Sequence, residues 1–175
     1  MNSTKAKNRI TATLLAVAVA AALSSGPLAA RGTAKTDHFF NPSCSTKIEF
    51  TGMDGPTTLL HITGTCWDGA LGSLTLDANQ RVTPSGPAYM GGVLLPVAVF
   101  NVGYYKTGSG EQLNATFTGG GVINLVTGDV DFSGQHRFLG GTGQFVNATG
   151  IASVSGEANQ IEKTGYYYAY GYVGY

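Results

Sequence analysis

The chain has 175 residues, a length suited to one domain rather than two, and its ten bases balance its ten acids. Glycine without a strict three-residue period excludes collagen, and 43% hydrophobic residues exclude a disordered chain. With only 11% charged residues and no basic stripe to release phosphate counterions, a nucleic-acid partner is excluded as well.

Lys5, Lys7 and Arg9 precede an uncharged run from Ile10 to Leu23, which Ser24, Ser25, Gly26 and Pro27 break. A basic start, a short apolar middle and a small-residue exit make residues 1–30 a secretory signal peptide. The run is shorter than the roughly 20 residues of a membrane span, so no membrane association is expected after its removal. Cleavage after Ser24 fits the small-x-small rule through Ala22 and Ser24, whereas cleavage after Ala30 would leave Leu28 at an awkward position. Loss of the leader leaves seven bases against ten acids, a mildly acidic secreted, periplasmic or extracellular protein. In an oxidising compartment Cys44 and Cys66, the only cysteines, are expected to join. The loop they close would contribute about 3 kcal/mol by the chain-entropy model. Neither has a Cys or His partner at zinc-finger spacing, so no metal site is expected.

Residues 31–45 read as an extended arm, with Phe39 and Phe40 ahead of the turn-prone Asn41-Pro42-Ser43. The domain proper, 46–175, opens with Thr46–Thr51, where Ile48 and Phe50 alternate with Lys47 and Glu49 as on a half-buried strand. After the turn Met53-Asp54-Gly55-Pro56, Thr57–Trp67 puts Leu60, Ile62 and Cys66 on one face and Leu59, His61, Thr63 and Trp67 on the other. Gly72–Leu76 is a short strand and Asp77–Pro87 a loop, with two prolines, Asn79 and Gly86. Val93–Tyr105 is apolar on both faces, and Pro96 divides it into two pieces or bulges it. Glu111–Thr118, Val122–Val126 and Asp129–Phe132 are further short strands. In Gly165–Tyr175, Tyr166, Tyr168, Tyr170 and Tyr172 share one face, with Tyr167, Ala169 and Val173 on the other.

From Thr118 onward Thr-Gly or Ser-Gly recurs every six to nine residues, as in strands of ordinary length joined by tight hairpins. No segment of the mature chain has a helical period with caps. Many short antiparallel strands must close or stack to hide their edges. The expected fold is all-β, a closed antiparallel barrel of about eight strands, with a β-sandwich as the alternative.

At Gly140-Gly141-Thr142-Gly143-Gln144-Phe145, followed by Ala148-Thr149-Gly150, the chain resembles the allene oxide cyclase and dirigent group. Similar glycine-rich motifs stand late in those domains, and the likeness covers residues of about 115–156. It implies an eight-stranded antiparallel barrel with an apolar central pocket, often a homo-oligomer, acting without an organic cofactor. Ile62-Thr63-Gly64-Thr65 with Trp67, Leu71, Gly72 and Ser73 is similar to the first strand of the avidins. Those enclose biotin with several tryptophans, and this chain has one.

Gly140, Gly141 and Gly143 lack the Lys-Ser/Thr of a phosphate loop and read as turn glycines. No G-x-S-x-G elbow is present, so serine hydrolysis has no support. Asp129 and Asp131 read as a solvated strand face. His61 and the pair His136-Arg137 read as structural residues ahead of catalysts. The function expected first is binding of a small hydrophobic or aromatic molecule in an apolar pocket, with Phe100, Tyr104, Phe117 and Phe145 as candidate contacts. A cofactor-independent cyclase or isomerase would need an ionisable residue inside, with Glu49, His61 and Arg137 the candidates. A third reading, an adhesive surface protein, rests on the tyrosine-rich tail.

Overall fold

The computed structural model describes residues 35–175. The segment 1–30, read above as a signal peptide, lies outside the described residues. Nine strands follow: β1 (Asp37–Phe40), β2 (Ser43–Asp54), β3 (Thr57–Asp68), β4 (Gly72–Pro84), β5 (Leu94–Thr107), β6 (Gln112–Asn124), β7 (Asp129–Gly141), β8 (Thr149–Asn159) and β9 (Thr164–Gly174). A single 3-10 turn, Gly143–Phe145, interrupts them between β7 and β8. Each of β2 to β8 pairs antiparallel with the next, and β9 pairs back onto β2, which closes an eight-stranded barrel.

The stagger is legible in the register. A row of paired residues leaves β4 at Leu74 and passes through Cys66, Cys44, Tyr167, Gly156, Phe132, Gly121 and Val97. It returns to β4 at Pro84, ten residues along. Such a shear tilts eight strands strongly and leaves an interior that side chains fill or that holds one small ligand.

The segment read as an arm belongs to the barrel wall. Asp37–Phe40 pairs with Gly171–Gly174 at one end of β9, and Ser43–Lys47 with Thr164–Tyr168 at the other. Asn41-Pro42 breaks what is otherwise one strand. The buried Asp68 carboxylate secures this break: Oδ2 accepts from the Asn41 amide at 2.8 Å, and Oδ1 from the Ala70 and Leu71 amides at 2.8 Å each.

Three strands are longer than their sequences suggest. Asp77–Pro84 continues β4, because Ala78 and Val82 face inward while Asn79 and Arg81 face water. β6 runs unbroken through Gly119-Gly120-Gly121, and β7 runs to Gly141. β5 also passes Pro96 without a break. Its carbonyl accepts from Ser85, so its ring nitrogen faces the side where regular pairing with β4 has already ended at Pro84–Val97.

The Thr-Gly and Ser-Gly pairs prove to be mostly strand residues. Only Thr127-Gly128 and Thr142-Gly143 make turns, with φ of 76° and 57° at the glycines. In Thr118-Gly119, Ser133-Gly134 and Ser155-Gly156 the hydroxyl faces out and the glycine faces in. A methyl on Gly119 or Gly134 would lie 2.6 or 2.8 Å from the Phe117 ring, and one on Gly156 2.8 Å from Phe132. These glycines give the interior rings their room.

Cys44 and Cys66 sit opposite each other on β2 and β3 and form a disulfide on the inner face. Replacing both by alanine is expected to cost about 3 kcal/mol, read as a lower denaturant midpoint. A midpoint equal to wild type would show that the bridge adds nothing.

Candidate functional site

Burial grades along the barrel axis. At one end Phe40, Leu74, Leu113, Phe145 and Val173 are fully or almost fully buried, whereas Ile48, Leu95, Phe132 and Ala158 near the other are only partly covered. The first end is sealed and the second is a mouth. The seal is the Gly140–Phe145 stretch. Thr142 donates its amide to the Gln112 carbonyl and accepts the Gln112 amide on Oγ1, each at 2.8 Å. Gly140 takes φ of 86°, which a side chain would strain. Glu111 Oε1 accepts from the Gln144 amide at 2.9 Å. The turn so held drives Phe145 into the barrel end, its ring 4.7 Å from that of Tyr175.

Between seal and mouth lies an interior space of about 70 Å³. Its wall is mainly aliphatic, from residues such as Leu60, Ile62, Val97, Val99 and Val130. Thr46, Gln80, Asn101 and Gln160 interrupt it, with Gln80 opposite Asn101 on β4 and β5. Among the described residues, no Asp, Glu, Lys or Arg lines it.

His136 on β7 and Tyr167 on β9 supply its polar side, and Tyr105 on β5 stands behind them. The Tyr105 hydroxyl lies 2.8 Å from His136 Nε2 and 2.7 Å from the Tyr167 hydroxyl. Burial holds the imidazole well below its ordinary value, at about 4, so the ring is neutral at neutral pH. Burial also raises both tyrosines, each kept as a neutral phenol. His136 Nδ1 is buried without a hydrogen-bond partner. The Thr116 backbone beside the ring favours its protonated form slightly, against the larger effect of burial. Three neutral groups thus share two short hydrogen bonds. Tyr105→Phe would orphan both His136 Nε2 and the Tyr167 hydroxyl, and is expected to cost about 2–3 kcal/mol. Tyr167→Phe should cost less, since it leaves the Tyr105–His136 bond in place. Equal losses in the two unfolding curves would contradict this arrangement.

Of the candidate contacts, Phe117 lines the space and Phe145 is buried in the seal beyond it. Phe100 and Tyr104 face outward, one residue out of phase with Val99, Asn101 and Tyr105. The three ionisable candidates also lie outside. Glu49 and Arg137 are exposed, and His61 makes outer-face contacts of 3.2 Å to Asp77 and 3.9 Å to Glu49. Each sits beside an inward residue (Ile48, His136 and Ile62), and strand alternation turns it to water. The imidazole that does line the space is that of His136. Its signal was present in the sequence, since it shares a face with Val130, Phe132 and Phe138.

Chemically, the lining of this space can hydrogen-bond an uncharged polar group and surround an apolar body, and among the described residues it brings no fixed charge to stabilise an ion. Comparison with protein-family models, with curated proteins and with solved structures gives no match.

Proposed function

We propose that this is an exported protein whose barrel holds a small, uncharged, mainly apolar molecule, inserted through the mouth with its polar group toward Tyr167 and His136. The observation that carries the reading is the pairing of an aliphatic wall with a neutral hydrogen-bonding row and no charged lining residue. An ion would lose its hydration there without a partner. The space is well below the roughly 300–1,000 Å³ of drug-sized pockets, which favours a small occupant or one only partly inserted. The disulfide agrees with an oxidising, extracytoplasmic location. Outward positions on β4 such as Ser73, Thr75, Asp77, Asn79 and Arg81 suit an aqueous rather than a lipid surrounding.

A cyclisation of the allene oxide cyclase or dirigent type is the second reading, and the buried His136 is what favours it. That reaction would have to use His136 as its proton acceptor. An adhesive role for the tyrosine tail is less favoured, because β9 is a wall strand paired on both sides.

Native mass spectrometry of the protein purified from its own host tests the binding reading. The expected spectrum shows the disulfide-bonded mature chain, its oligomeric state, and an added small mass released on denaturation. A chain that carries no added mass and takes up no apolar compound from a host extract would overturn it.

A further inference from the structure

The outer wall of β6 to β9 carries a second concavity, which shares Phe132 with the lining of the interior space. It is a groove of about 830 Å³ with Tyr166 and Tyr168 on one side, Asp131 and Glu157 beside them, and Ser133 and Ser155 on its floor. Gly120 faces outward and adds no side chain, which keeps the floor low. The two tyrosines are half-exposed, and they stand about 6.7 Å apart along the strand, as alternate strand residues do.

Asp131 and Glu157 are direct cross-strand partners on β7 and β8. Like charges in that position destabilise a sheet. Among the described residues neither carboxylate has an ion-pair or hydrogen-bond partner, since the three ion pairs all lie elsewhere. A cation or a set of hydroxyl donors between them would relieve the repulsion. The negative faces of the tyrosine rings favour the same kind of ligand.

Two features separate a sugar from a peptide here. Every strand beneath the groove is already paired on both sides, so an extended peptide finds no edge to join. The floor is mostly hydroxyl and glycine, with Val122 and Phe132 as its apolar residues, so an amphipathic helix finds only a narrow apolar bed. Pyranose rings present C–H faces to stack on tyrosine and hydroxyls for carboxylates to bind. We propose that this groove binds an amino-sugar oligomer, with sugar rings on Tyr166 and Tyr168 and ammonium and hydroxyl groups on Asp131 and Glu157.

Titration calorimetry of the mature chain with a glucosamine tetramer tests this. Binding is expected, weakened about tenfold by Tyr168→Ala and by a similar factor in Asp131→Asn/Glu157→Gln. A galacturonate tetramer should give no binding. All four residues are on the outer surface, so unchanged circular dichroism should accompany each loss. No binding of the glucosamine tetramer, binding indifferent to both variants, equal binding of a lysine tetramer, or a dimer that buries Tyr166 and Tyr168 would each overturn the proposal.

Discussion

Phe145→Ala is expected to cost about 3–5 kcal/mol, close to the upper range for a single core truncation. Phe145 is fully buried at the sealed end, where its ring meets Tyr175 edge-on. The surroundings cannot collapse into the space it leaves. The turn beneath is fixed by the paired bonds of Thr142 and Gln112, and Ala148 donates its amide to the Phe145 carbonyl at 2.9 Å. Phe145→Leu should cost distinctly less, and Val146→Ala, at an exposed neighbour, should fall within about 0.5 kcal/mol of wild type. Urea unfolding of the three variants checks this. Equal losses for Phe145→Ala and Val146→Ala would mean that the ring is not the seal.

Acid is expected to weaken the barrel through His136. In the unfolded chain the imidazole titrates near 6.5, and in the barrel burial lowers this to about 4. Above pH 6.5 the ring is neutral in both states and costs nothing. Between pH 6.5 and 4 the unfolded state binds the extra proton, so stability falls as the pH is lowered, by about 3 kcal/mol in all. The groups packed around the ring are Tyr105 from β5, Phe117 from β6, Phe138 from β7 and Tyr167 from β9, none charged in this range. Surface carboxylates add their own acid dependence, so the prediction concerns a difference. Wild type should lose about 3 kcal/mol more than His136→Gln between pH 7 and pH 4. Parallel stability profiles would mean that His136 is protonated inside the barrel or reached by water.

The closed all-β architecture was legible because most strands alternate cleanly. Leu60, Ile62 and Cys66 face inward on β3, Val130 and Phe132 on β7, and Tyr167, Ala169 and Val173 on β9, as their spacing predicts. Legibility failed where alternation carries no sign. Val93–Tyr105 is apolar on both faces, so nothing local separates outward Phe100 and Tyr104 from inward Asn101 and Tyr105. β4 was hidden for the opposite reason: its outward Asp77, Asn79 and Arg81 look like loop residues until Ala78 and Val82 are placed on the inner wall. Serine-glycine pairs imitated turns because an outward hydroxyl beside an inward glycine has the composition of a turn. The polar row could not be read locally, since Tyr105, His136 and Tyr167 come from three strands far apart in sequence and meet through closure alone. Alternation does place His136 inside, but not beside a second and third polar group.

On the proposed reading the interior accepts a small neutral molecule beside this row. Methyl-resolved NMR with p-cresol, an uncharged ring bearing one hydroxyl, tests it most directly. Saturable shifts are expected at the methyls of Ile62, Val97, Val99 and Val130, abolished when Val99→Phe fills the space. Benzoate, similar in size but ionised at neutral pH, should leave those methyls unmoved. An absence of p-cresol shifts at the inner wall, or shifts that persist unchanged in Val99→Phe, would contradict it.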